Sequence, residues 1–153
     1  MRVSPSLKRR VTEPLLQLLR QGVTPAKLAR CVAFGGLIGV FPAIGATTVL
    51  AAGAAVAFRL NMVAIQAVNY LVYPLQFVCL IPLYRAGEWL FGAEPLSLSL
   101  GDIVALVRDT PLTAINRLWT VTWHASVAWC LLSLILIPIV TLVLTPVFRR
   151  LAP

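Results

Sequence analysis

Hydrophobic positions fall into three long runs, residues 31–58, 60–84 and 118–148, none of which contains Asp, Glu, Lys or Arg. Each exceeds the roughly 20 residues that a helix needs to cross a hydrocarbon core. Before them, Leu15, Leu16, Leu18 and Leu19 form an apolar stripe between Thr12 and Gly22, the pattern of a short helix lying on a membrane surface. Thr24-Pro25 then predicts a helix start, with Thr24 as the cap, Pro25 in the first turn and Lys27 and Arg30 at the water boundary.

The first run is interrupted at its centre by Pro42 and Gly45. As one straight helix it would be about 42 Å long at 1.5 Å per residue, against a core about 30 Å thick. Pro42 lacks an N–H and disfavours helical geometry at Phe41, and Gly45 is free to take positive φ. The natural parse is two half-helices of about 11 and 13 residues. The second run is predicted to break at Tyr73-Pro74 and carries Gln66, Asn69, Tyr73 and Gln76 at spacings of three, four and three, one helical face. Residues 85–117 read as an extramembrane connector with short amphipathic helices, one over residues 101–109. The last run has Trp119, Trp123 and Trp129 toward its start and Arg149-Arg150 directly after it.

The four expected segments are a basic amphipathic leader (1–30), a membrane core (31–84), the connector (85–117) and a C-terminal transmembrane helix (118–150). Composition agrees: 59% of the 153 residues are hydrophobic and 12% charged, with a mean hydropathy of +0.90. The expected fold class is an all-α integral membrane protein, with broken or re-entrant helical hairpins plus two to three transmembrane helices. No cleaved signal peptide is expected, because the first run begins late and is too long for an h-region.

Charge chooses between topologies. Residues 1–30 hold seven cations, Lys8, Arg9 and Arg10 among them, against Glu13 alone, which places the leader in the cytoplasm. Three simple crossings would put Arg59 and Arg149-Arg150 on the far side. If the first run dips in and returns, both stay cytoplasmic and the connector, of net charge −1 (Arg85, Arg108 and Arg117 against Glu88, Glu94, Asp102 and Asp109), lies outside. The re-entrant arrangement is the reading adopted. A basic juxtamembrane leader without interleaved aromatics points to anionic lipid headgroups, not nucleic acid.

Candidate chemistry is sparse. Cys31, Cys79 and Cys130 fall one to each apolar run, as small packed residues without zinc or disulfide spacing. His124 is the sole histidine, next to Trp123, and reads as a packed or interfacial residue. Asp102 and Asp109 share a helical face, and Glu88 and Glu94 flank Trp89, with no nucleophile or phosphate loop nearby. The chain is therefore expected to be no enzyme and to carry no cofactor or metal. Two readings of the apolar core stay open. In one, Pro42, Gly45, Thr47 and Thr48 present unwound backbone to Gln66, Asn69, Tyr73 and Gln76 as part of a polar pathway, as discontinuous helices do in transporters. In the other, the stripe hydrogen-bonds the carbonyls freed by Pro42 as interhelical glue. Gly35, Gly39 and Gly53 offer small faces, either for a homo-oligomer or larger membrane complex, or for closing the hairpin on itself.

The stretch from Gly22 to Asn61 resembles a bacterial membrane family known as domain of unknown function 2062. The resemblance rests on Gly22, Thr24 and Pro25, then Ile38, Gly39, Pro42, Gly45 and Thr48, then Arg59, Leu60 and Asn61. It covers residues 20–92. Family members often have Asn-Pro at the second break, where this chain has Tyr73-Pro74. The resemblance implies a multi-pass protein of the bacterial inner membrane without established activity. Because some members are fused to glycosyltransferase domains, it also implies a link to envelope polysaccharide or lipid work. A transport-related or lipid-associated component and an accessory scaffold for an envelope glycosyltransferase are the two functional expectations.

Overall fold

The computed structural model describes residues 23–95 and 100–151. The leader cations Lys8, Arg9 and Arg10 and the Leu15 to Leu19 stripe lie outside the described residues. All regular structure among the described residues is helical: α1 (Pro25–Gly39), α2 (Thr47–Ala57), α3 (Met62–Leu71), α4 (Tyr73–Phe91), α5 (Leu100–Asp109) and α6 (Pro111–Leu151).

α1 starts where its signals stand. The Thr24 side chain accepts a hydrogen bond from the Lys27 N–H at 3.3 Å, and Pro25 occupies the first turn, where a missing N–H costs nothing. Helix stops at Gly39 and resumes at Thr47, so the interruption covers residues 40–46 and is longer than the Pro42 to Gly45 turn expected. Gly45 takes φ +90°, a conformation open to glycine and costly to residues with a Cβ. After α2 the chain turns again. The Arg59 N–H donates to Val56 O at 3.3 Å and the Leu60 N–H to Ala55 O at 2.8 Å, the paired bonds of a Schellman cap. Arg59 holds the left-handed position with φ +51°.

Asn61 caps α3 by accepting from the Ala64 N–H at 2.9 Å. Val72 both ends α3 and starts α4, and the two axes bend by 67° there. The break thus falls one residue before Tyr73-Pro74, because Pro74 is tolerated in the first turn of a new helix. The bend also divides the expected single polar face: Gln66 and Asn69 belong to α3, Tyr73 and Gln76 to α4. α4 continues through Arg85 to Phe91 and ends on Gly92 in the left-handed region. Much of the predicted connector is therefore the end of α4, α5 and the first turns of α6. At 41 residues α6 is about 61 Å long.

α1 and α3 lie side by side in the same direction. A Cβ added at Gly35 would meet Ile65 O at 2.6 Å, and one at Gly39 would meet the Val72 side chain. These two glycines are spent on contact with α3, and not with the other half of the first run. Gly53 has nothing within 4 Å of where a Cβ would stand. A third close approach, unforeseen from the sequence, is Gly87 of α4, whose Cβ would sit 2.6 Å from the His124 carbonyl carbon on α6.

The buried core joins four elements: Leu28, Ala29, Cys31 and Ile38 of α1, Ala51 and Ala55 of α2, Leu60 with Ala64 and Ile65 around the start of α3, and Phe148 of α6. Among the described residues, α6 is the one helix long and apolar enough to cross a membrane, and the bent α3–α4 pair adds a second if it is counted as a single span.

Candidate functional site

The sequence-derived candidates converge on the α1–α2 break. An interrupted helix leaves carbonyls without intrahelical donors, and each must find another partner when buried. Several donors converge on it. Gln76, fully buried on α4, donates its Nε2 to Phe41 O at 2.7 Å. The Tyr84 hydroxyl, two turns further along α4, lies 3.4 Å from Pro42 O as a weaker donor. Trp129 of α6 donates its Nε1 to Leu37 O at 2.9 Å, while its ring packs edge-on against Phe41 at 4.9 Å between centroids. Gln66 of α3 donates to Thr48 O at 2.9 Å, and the Asn69 amide nitrogen donates to Gln66 Oε1 at 3.3 Å.

Pro42 is buried against these groups, and Thr47 is buried at the start of α2, while Thr48 is exposed. Tyr73 stands apart from the rest of the stripe, although Gln76 lies with it on α4. Its ring meets Phe77 edge-on at 5.9 Å, and no hydrogen bond from it to the break is found. Tyr84 and Trp129 went unrecognised as donors to the break. A hydroxyl and an indole inside apolar runs were the signals that each needs a partner, although neither signal names Pro42 or Leu37. Two acceptors, Asn69 Oδ1 and Gln76 Oε1, are buried without a partner among the described residues.

Beside the break lies a cavity of about 570 Å³ between α1, α3, α4 and α6. Gly36 and Val40, Val72, Leu75 and Pro82, and Leu136 line it, and no charged side chain or amide does so. None of Gln66, Asn69, Tyr73 and Gln76 contributes to its wall.

The other sequence candidates are dispersed. His124 stacks on Phe91 at 4.1 Å, five residues before Trp129 on α6, and makes no contact with the break. Glu88 is buried and paired with Arg85 at 2.8 Å. Cys31, Cys79 and Cys130 are free thiols, respectively buried, partly buried and exposed.

A family model described as an uncharacterized protein conserved in bacteria (DUF2062) matches residues 8–152. The chain belongs to this family. The match extends the resemblance from residues 20–92 to nearly the whole chain, so α5 and α6 are part of the DUF2062 unit, and Trp129 closes the break from within that unit. No curated protein and no solved structure matches this DUF2062 chain.

Proposed function

We propose that this DUF2062 chain is a non-transporting scaffold component of the bacterial inner membrane, in which the α1–α2 hairpin is re-entrant and the α3–α4 pair and α6 span. The supporting observation is the internal satisfaction of the break: Gln76, Tyr84 and Trp129 approach the carbonyls that a solute pathway would need exposed. The adjacent cavity is apolar and offers a polar solute nothing in exchange for its hydration shell. Non-catalytic action fits the dispersed titratable groups.

Membrane insertion accounts for the surface. Val49, Leu134 and Leu142 are each more than 70% exposed, an apolar exterior that a soluble monomer rarely tolerates. Thr120, Ser126 and Thr145 turn their hydroxyls back onto carbonyls of α6 four residues earlier, which leaves them little need of water. In this reading the chain start and the α6 end are cytoplasmic, which the positive-inside rule supports through the leader cations and Arg149-Arg150. Apolar faces around the open Gly53 suit a second copy or a larger membrane partner, with an envelope glycosyltransferase as the partner class that the family suggests.

The double variant Gln66→Leu/Asn69→Leu tests the scaffold against the pathway. Changing both removes donor and acceptor of the Asn69–Gln66 bond together, and the acceptor that Gln66 leaves behind belongs to the exposed Thr48. The scaffold reading expects the variant to accumulate in membranes and to complement a deletion strain like the parent. Normal accumulation with lost complementation would return the polar pathway to first place.

A further inference from the structure

Resting on the membrane reading, we infer that Lys27, Arg30 and Arg59 form a docking site for the phosphate of an anionic phospholipid. Lys27, Arg30 and Phe34 follow one another at three- and four-residue spacing, a single stripe of α1. Phe34 packs its ring on Phe58 at 4.7 Å between centroids, and the next residue is Arg59. The contact brings the α1 stripe and the α2 cap together, so three exposed cations meet on one side of the molecule. Phe148 is buried in the same cluster as Leu28 and Leu60, and Arg149 and Arg150 follow it directly in sequence. Among the described residues no Asp or Glu lies there. Glu88, Glu94, Asp102 and Asp109 belong to the end of α4, the segment after it and α5.

The backbone at Arg59 is the second, independent observation. Arg59 holds the left-handed position of a Schellman cap, and the same position after α4 is filled by Gly92 at φ +59°. Glycine would make the identical turn without the Cβ penalty, so the cap itself gives no reason for arginine. A guanidinium with a forked donor set and no carboxylate partner among the described residues supplies one: it recognises phosphate oxygens. Phe58 and Val56 beside it are 56% and 73% exposed. Apolar surface directly below a cation cluster fits a phosphate that carries acyl chains, and not a free anion.

The full-length chain, purified in mild detergent, is titrated with dioleoyl phosphatidylglycerol and dioleoyl phosphatidylcholine, and bound lipid is read by native mass spectrometry. Phosphatidylglycerol is expected to be retained over phosphatidylcholine. Arg59→Gly is expected to lower that retention about fivefold, the effect of one basic residue at an anionic surface, while the melting temperature stays equal or rises. Unchanged retention in Arg59→Gly overturns the inference. Arg30→Gln, which leaves the cap intact, is expected to weaken retention similarly, and parental retention in that variant also overturns it. Displacement of the lipid by an equal concentration of inorganic phosphate would mark a free-anion site and refute the lipid assignment. Carbonate extraction of the same membranes separates the two levels. Resistance to extraction without lipid preference defeats this site alone, and release into the supernatant defeats the membrane reading beneath it.

Discussion

Gln76 and Trp129 each direct a side-chain N–H to a carbonyl of the α1–α2 break, yet they were unequally visible in the sequence. An amide in an uncharged run announces that it needs a partner, and the three- and four-residue spacing placed Gln76 with Gln66 and Asn69. Trp129 stands 92 residues from its acceptor, and an indole near the start of an apolar run reads equally well as an interfacial anchor. Tyr73 has the reverse history: it shares the spacing and not the role, because its ring packs on Phe77 of its own helix while Gln76, three residues on, reaches the break. Gln76→Leu should therefore lower stability by about 1–3 kcal/mol, the cost of leaving Phe41 O buried and unpaired. Tyr73→Phe should stay within about 0.5 kcal/mol of the parent. Reversible unfolding in mixed micelles measures both, and equal effects would disprove the assignment of Phe41 O to Gln76.

Among the elements, glycine separates the packed helix faces from the open ones. Gly35 and Gly39 let α1 approach α3, and Gly87 lets α4 approach α6, because an added Cβ at each would overlap atoms of the neighbouring helix. Gly53 on α2 has open space in the same position. Gly35, Gly39 and Gly53 were visible as small faces in the sequence and Gly87 was not, and only the crossing geometry distinguishes the packed from the open. Gly35→Ala is expected to cost about 1–3 kcal/mol, as overpacking of a close contact does. Gly53→Ala is expected to be neutral or to stabilise α2 by up to about 1 kcal/mol through helix propensity. Thermal denaturation of the two variants in one detergent makes the comparison. If Gly53→Ala keeps its stability but loses self-association on cross-linking, the open face is the oligomer contact.

For the whole molecule, the decisive feature is that the chain returns to its starting end after the break and again along α6. Cys31 Sγ lies 3.9 Å from Asn61 O, and Phe148 is buried with Leu28. In the proposed topology a cysteine placed at Arg59, in a background with Cys31, Cys79 and Cys130 replaced by alanine, resists a membrane-impermeant maleimide applied from the periplasm. One placed at Glu94 is labelled. Labelling at Arg59 with protection at Glu94 would make the first run a full span and would move Arg59 outside. The all-helical class, the interruption near Pro42 and Gly45 and the start at Thr24-Pro25 could be read directly from the sequence, because a missing N–H, a permissive φ and a capping hydroxyl act within a few residues. Only the tertiary structure decided which donor meets which carbonyl, which glycine is packed and that Lys27, Arg30 and Arg59 share a side. Those outcomes depend on a 67° bend at Val72 and on contacts between elements distant in sequence, where local chemistry sets a need for partners but not their identity.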